Sequence, residues 1–272
     1  MESMIAESIG LRHYPVALSW SDEKPPEAIQ FKEGRWGCVM WLAAHAAKGK
    51  PAVCDEKTFG CVGGGVGLGF GNQYVNFPGG LPGFCHFLSY GNASREGGED
   101  LAASIRPFVT ADTYDDFLEG ERYLKDPERV QEFIEDLPIT TIPRRFVVFR
   151  PLKDADEQEN PPEIIIFFAT PDQLSALVIL ANYARKGNEN VIIPYAAGCQ
   201  TMGIYPYQEA RSKNPRAVVG LTDLSARLNI RKQLGDPHFM TFAVPLSLFR
   251  KMEENVPGSF VERPTWKNLQ EK

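Results

Sequence analysis

The apolar positions of the first fifty residues fall into three short runs separated by polar or glycine-containing breaks. Met4, Ile5 and Ile9 recur at helical spacing and predict a helix over residues 1–9, stopped at Gly10. Residues 14–20 (YPVALSW) form an apolar run with Pro15 near its start, the pattern of a strand entered from a turn. A polar loop at 22–26 follows. Residues 37–48 are apolar on almost every side, which predicts a buried helix, and Gly49 supplies a left-handed stop.

Later segments alternate more clearly between the two periods. Residues 127–137 place Val130, Phe133, Ile134 and Leu137 on one helical face and turn Glu132, Glu135 and Asp136 toward water. Residues 145–150 predict a strand. Residues 163–169 (EIIIFFA) are too uniformly apolar for a strand with one wet face, so this strand is expected at the centre of a sheet. Thr170, Pro171 and Gln173 supply an N-cap, a first-turn proline and a capping box for a helix running to about Lys186. Residues 190–195, 217–221 and 241–245 are further strands, and 246–255 the last helix. The order of elements predicts an α+β fold: one two-lobed domain of mixed β-sheet layers and packed helices. Its parts are a cysteine- and glycine-rich lobe over about 1–94, an acidic helical section over about 95–143 and a strand–helix lobe over about 144–272.

Glycine changes this picture in one place. Ten of the 24 residues from Gly60 to Gly83 are glycine, where average usage gives about two. Ordering glycine costs the most backbone entropy, so such a run calls for a close approach of the backbone to a ligand, or for tight turns between strands. No register of the run satisfies G-x-G-x-x-G, and no glycine-lysine-hydroxyl ending follows, so the common nucleotide fingerprints are absent. Val66, Leu68 and Phe70 alternate with glycine at period two, which reads as a strand with one bare face. A flat cofactor or another chain segment would lie against that face.

Composition bounds the function class. The 272 residues carry 29 Lys+Arg against 35 Asp+Glu, a formal charge of −6, with 43% hydrophobic and 24% charged residues. This is a globular composition without the basic face that nucleic acid or anionic membrane requires. The apolar stretch at 39–47 is about half the roughly 20 residues that span a bilayer, and no targeting pattern opens the sequence, so a cytoplasmic protein is expected. There the five cysteines stay reduced, as buried small hydrophobes, metal ligands or reactive thiols.

Cys38 lies at the start of the buried helix, where unpaired N–H groups stabilise a thiolate. Cys61 and Cys199 each follow a glycine in expected loops, and glycine lets backbone N–H groups approach ligating sulfur. No C-x2-C pair occurs, so zinc-ribbon and ferredoxin spacings do not apply. His45, two helical turns from Cys38, reads first as a core histidine, and no catalytic triad is assigned. Asp223 and Arg227, four residues apart, would share a helix face and pair with one another or offer the guanidinium to an anion.

Several motifs in order resemble one family. These are Gly37-Cys38-Val39-Met40, residues 59–70 (FGCVGGGVGLGF), Phe149-Arg150-Pro151-Leu152, residues 169–180, Gly198-Cys199-Gln200, residues 220–227 and Gly258-Ser259-Phe260. The chain resembles the prokaryotic family catalogued as domain of unknown function 169, found in archaea and anaerobic bacteria. The resemblance marks Cys38, Cys61 and Cys199 as motif cysteines and leaves Cys54 and Cys85 incidental. It carries no settled activity. The leading expectation is a cysteine-ligated metal or iron–sulfur cofactor on Cys38, Cys61 and Cys199, in a redox or Lewis-acid role. Gly60, Gly63, Gly64, Gly65, Gly67 and Gly198 would hold the cluster or a small ligand. The alternatives are a thiol-dependent enzyme with a Cys38 or Cys61 nucleophile and a non-catalytic small-molecule-binding protein. A small molecule or redox partner fits these readings; nucleic acid and membrane do not.

Overall fold

A computed structural model describes residues 1–156, 158 and 160–271. Seven strands form one sheet: β1 (Val16–Ser21), β2 (Ala52–Cys54), β3 (Phe146–Pro151), β4 (Ile164–Ala169), β5 (Val191–Ile192), β6 (Ala217–Gly220) and β7 (Met240–Pro245). Their spatial order is β2-β3-β1-β4-β7-β6-β5, antiparallel throughout except for the parallel β5–β6 pair. The fold is α+β, as the element order predicts. The apolar run at 163–169 is indeed the middle strand, and all six residues of β4 are buried.

Alternation along the strands divides the core into two layers. Val16, Leu18, Trp20, Ile164, Ile166 and Phe168 point to one face, where the helices Met40–Ala47 and Leu224–Leu234 cover them. Ala17, Ile165, Phe167, Phe242 and Val244 point to the other, beneath the helices Pro171–Asn182 and Leu246–Glu254. Each large side chain so enclosed is worth about 1.5–3 kcal/mol relative to exposure. The capping box at Thr170 and Gln173 forms, with Gln173 Oε1 accepting from the Thr170 N–H at 2.9 Å. A third apolar cluster lies beside the sheet, where Tyr74, Phe84 and Cys85 meet Val130 and Ile134 of the Pro127–Asp136 helix. Among the described residues no helix is long and apolar enough to cross a membrane.

Four expectations change. The helix at 171 ends at Asn182, and the strand at 190–195 contracts to Val191–Ile192. Cys199 stands inside a short helix, Gly198–Met202, rather than in a loop. The period-two reading of residues 66–70 is overturned: Val62–Gly67 is a helix, with Gly65 N–H bonded to Cys61 O and Leu68 N–H to Gly64 O, each at 3.0 Å. Glycine in a helix costs about 1 kcal/mol relative to alanine, so local preference argues against this element. Tertiary contact decides it. A Cβ at Gly67 would stand 2.7 Å from the Cys199 carbonyl carbon, and one at Gly203 would stand 2.0 Å from Gly67 O. The two helices meet backbone to backbone, and only glycine permits that. The Trp20 indole N–H secures the helix end to β1 by donating to Leu68 O at 2.8 Å.

Candidate functional site

Close backbone contacts gather the three motif cysteines. Gly60 adopts φ +81°, and a Cβ there would stand 2.3 Å from Gly37 O, so the Gly37-Cys38 and Gly60-Cys61 segments touch. Cys38 lies just before the Met40–Ala47 helix; its carbonyl accepts from Trp41 N–H at 2.9 Å and its sulfur from Met40 N–H. Cys61 is the N-cap of Val62–Gly67, its Sγ accepting from Gly64 N–H at 3.3 Å. Cys199, across the helix–helix contact, donates its thiol proton to Gly63 O at 3.1 Å. Cys61 and Cys199 therefore bond the N–H and the C=O of one peptide unit, Gly63–Gly64. No cis peptide bond occurs among the described residues, so these groups lie on opposite edges of that unit.

Carboxyl groups complete the patch. Asp223 caps the Leu224–Leu234 helix: one oxygen accepts from Ala226 N–H at 2.6 Å and from Ser225 Oγ at 3.2 Å, and the other accepts from Gly198 N–H. It thereby ties the start of this helix to the residue before Cys199. Arg227 takes no part in it. Its guanidinium donates to the carbonyls of Leu221, Pro237 and Phe239 at 3.2, 2.7 and 3.3 Å, so it neither pairs with Asp223 nor faces an anion. The reason is the cap, which folds Asp223 back over the first turn while Arg227, one turn on, points into the loop before β7. Glu121 follows Gly120, whose φ of +82° lets the chain press against Ser89 O. Among the described residues the Glu121 carboxyl accepts no hydrogen bond. Tyr123 Oη accepts from Ser225 N–H, and Tyr195 Oη donates to Tyr123 O, both at 3.1 Å.

Burial pushes all three thiols upward, and the N–H groups at the helix starts lower them by less. The charges that add to burial are acidic in every case. They are Cys61 and Asp223 at Cys38, Glu121 and Asp223 at Cys61, and Cys61, Asp223 and Cys38 at Cys199. Burial likewise raises Asp223 against its hydrogen bonds, and burial with Asp116 and Asp223 nearby raises Glu121 to about 8. At neutral pH the sulfurs are thiols, as the Cys199 donation to Gly63 O also requires. The patch is a set of soft and hard acidic donors with no basic group among the charges they feel.

Among the described residues no three His, Cys, Asp or Glu side chains are spaced as ligands of one metal ion. Between Cys61 and Cys199 the cause is the peptide unit they share. Of the six glycines expected to cradle a cofactor, five meet the chain's own atoms where a Cβ would stand: Gly60 at Gly37, Gly64 at Phe59 O, Gly65 at Gln73, Gly67 at Cys199, and Gly198 at Ala226. Only Gly63 of the six has nothing within 4 Å there, and it is the one with room for a ligand. Cys54 on β2 and Cys85 are buried in separate apolar clusters. His45 feels Lys48 and Lys50 rather than the thiols.

Glu121, Tyr123, Tyr195 and Tyr74 are not singled out by the sequence pattern, and Gln200 enters it only beside Cys199 in a motif. The turn-forming Gly120 is the local cue to Glu121, and the spacing of Asp223 from Ala226 is the cue to a cap. The family model DUF169, described as uncharacterised ArCR, matches residues 4–255. No curated protein and no solved structure matches the chain.

Proposed function

The chain belongs to the DUF169 family, and from its own residues we propose that it binds a thiophilic cation, a metal ion or an iron–sulfur cluster, through Cys38, Cys61 and Cys199. A redox or Lewis-acid role follows from such a cofactor. The observation that carries this reading is electrostatic. Three thiols and two carboxyls share one partly buried patch, and every charge bearing on the thiols is acidic. A thiolate nucleophile needs a positive neighbour or a dominant helix start to form near neutral pH, and burial outweighs the helix starts here. A cation supplies the missing charge as it displaces the thiol protons.

Cys38 and Cys61, whose segments touch, are the first pair of donors. Cys199 joins them on a shared ion only by giving up its bond to Gly63 O. In a cluster the three sulfurs would ligate different irons instead. The test is anaerobic reconstitution of the full chain with iron and sulfide, and separately with cobalt(II), followed by desalting, metal analysis and an absorption spectrum. Bound metal with sulfur charge-transfer bands, reduced or lost in Cys38→Ser, Cys61→Ser and Cys199→Ser, is the expected result. A folded wild-type protein that retains neither metal overturns the reading.

A further inference from the structure

Residues 195–198, which lead into Cys199, are held at both ends by side chains and carbonyls remote in sequence. At one end the Tyr195 hydroxyl donates to Tyr123 O at 3.1 Å. At the other, Gly198 N–H donates to Asp223 Oδ2. These two holds are joined to each other. Tyr123 Oη accepts from Ser225 N–H at 3.1 Å, and Ser225 Oγ donates to Asp223 Oδ1 at 3.2 Å. Hydrogen bonds and chain together close a ring around the segment. Inside it Ala197 N–H is bonded as well, to Gln200 Oε1 at 2.9 Å.

Asp223 carries the ring's closest link to the cysteine. Its Oδ1 accepts from Ala226 N–H at 2.6 Å and caps its own helix, while Oδ2 accepts from the start of the helix that carries Cys199. The position therefore needs an acceptor at each end of a short planar group. A carboxylate supplies both; an asparagine amide supplies one and turns an NH2 donor toward the other N–H. A Cβ at Gly198 would stand 2.9 Å from Ala226 Cβ, so the two helix starts are packed as well as bonded. We propose that Asp223 is a positioning residue: it fixes the backbone before Cys199 so that the thiol meets Gly63 O at 3.1 Å. Its consequence for a cofactor rests on the proposed function. With that backbone held, Cys199 exchanges Gly63 O for the cation by rotation about its Cα–Cβ bond. Outer groups that orient a metal ligand in this way are typically worth about 10–100-fold in affinity.

Infrared spectroscopy of the S–H stretch in the metal-free full-length protein tests the positioning without any cofactor. Cys199→Ala identifies the Cys199 band by difference. Asp223→Asn and Asp223→Ser both keep a side-chain acceptor for the helix cap and lose the bond to Gly198. In both, the Cys199 band is expected to shift toward that of an unbonded thiol. The Cys54 and Cys85 bands should stay, which reports a retained fold. A Cys199 band unmoved in both variants overturns the proposal. If the Cys54 and Cys85 bands move too, amide exchange of the wild type decides: slow exchange at Gly198 supports the clamp, and exchange as fast as an open amide overturns it. With cobalt(II), Asp223→Asn is compared in the wild-type and Cys199→Ser backgrounds. The lost negative charge acts in both, so the positional part is the excess loss of affinity in the wild-type background, expected at about 10–100-fold. Equal losses in the two backgrounds overturn the proposal. A wild type that binds no metal removes the proposed function and leaves the S–H result to decide the positioning.

Discussion

At Glu121 a carboxyl sits partly buried beside Asp116 and Asp223, and burial and charge together raise it from its usual 4.5 to about 8. Between these values the folded protein keeps a proton that the unfolded chain has released. Stability therefore falls as pH rises through that interval and is level below and above it. Glu121→Gln should remove this loss, leaving the variant more stable than wild type at pH 8.5 by on the order of a few kcal/mol and equal to it near pH 4. Denaturant midpoints of the cation-free proteins across pH check this, and parallel pH profiles would contradict it. Comparing the two proteins isolates Glu121 from His13, His45 and His86, which burial lowers and which run the opposite way. The place to look was legible in the sequence for the three cysteines, because each directly follows a glycine. It was not legible for Glu121, one acidic residue among many. What sets it apart is desolvation, and desolvation comes from segments distant in the chain.

Helices with both an apolar stripe and a cap, such as Pro127–Asp136 and Pro171–Asn182, follow from local pattern to within a few residues. Val62–Gly67 does not, because four of its six residues are glycine and its alternation imitates a strand. Two substitutions separate the causes. Gly67→Ala sets a methyl group against the Cys199–Gln200 backbone and should cost about 1–3 kcal/mol as overpacking. Gly63→Ala meets nothing within 4 Å and should be neutral or stabilising by up to about 1 kcal/mol through helix propensity. Thermal and denaturant unfolding of the pair measure both. Equal effects would mean that the helix–helix contact does not select these glycines. At this scale the sequence showed only that the glycines needed a backbone reason, a close approach or tight turns. The partner, a second helix of the same chain, begins 131 residues after Gly67 and had no local trace.

Across the whole molecule, β1 from the first lobe lies between β3 and β4 from the last, so one sheet joins the two ends of the chain. Calorimetry should show a single cooperative transition, since neither end can lose its strands without exposing the core of the other. Two separated peaks would refute that coupling. Residues 95–143 hold thirteen acidic residues against five basic ones, more net negative charge than the chain as a whole, and the charge of Glu121 in this section bears on Cys61. By itself the sequence determined the α+β class, the central place of 163–169, the capped helices and the three cysteines of interest, because period, capping and residue type are local properties. The tertiary structure alone decided that residues 62–67 of the glycine run are a helix, that Cys61 and Cys199 hold opposite edges of one peptide unit, and that the charges of Asp223 and Glu121 bear on Cys61. Those facts depend on which distant backbones can touch and on the water that such contacts exclude.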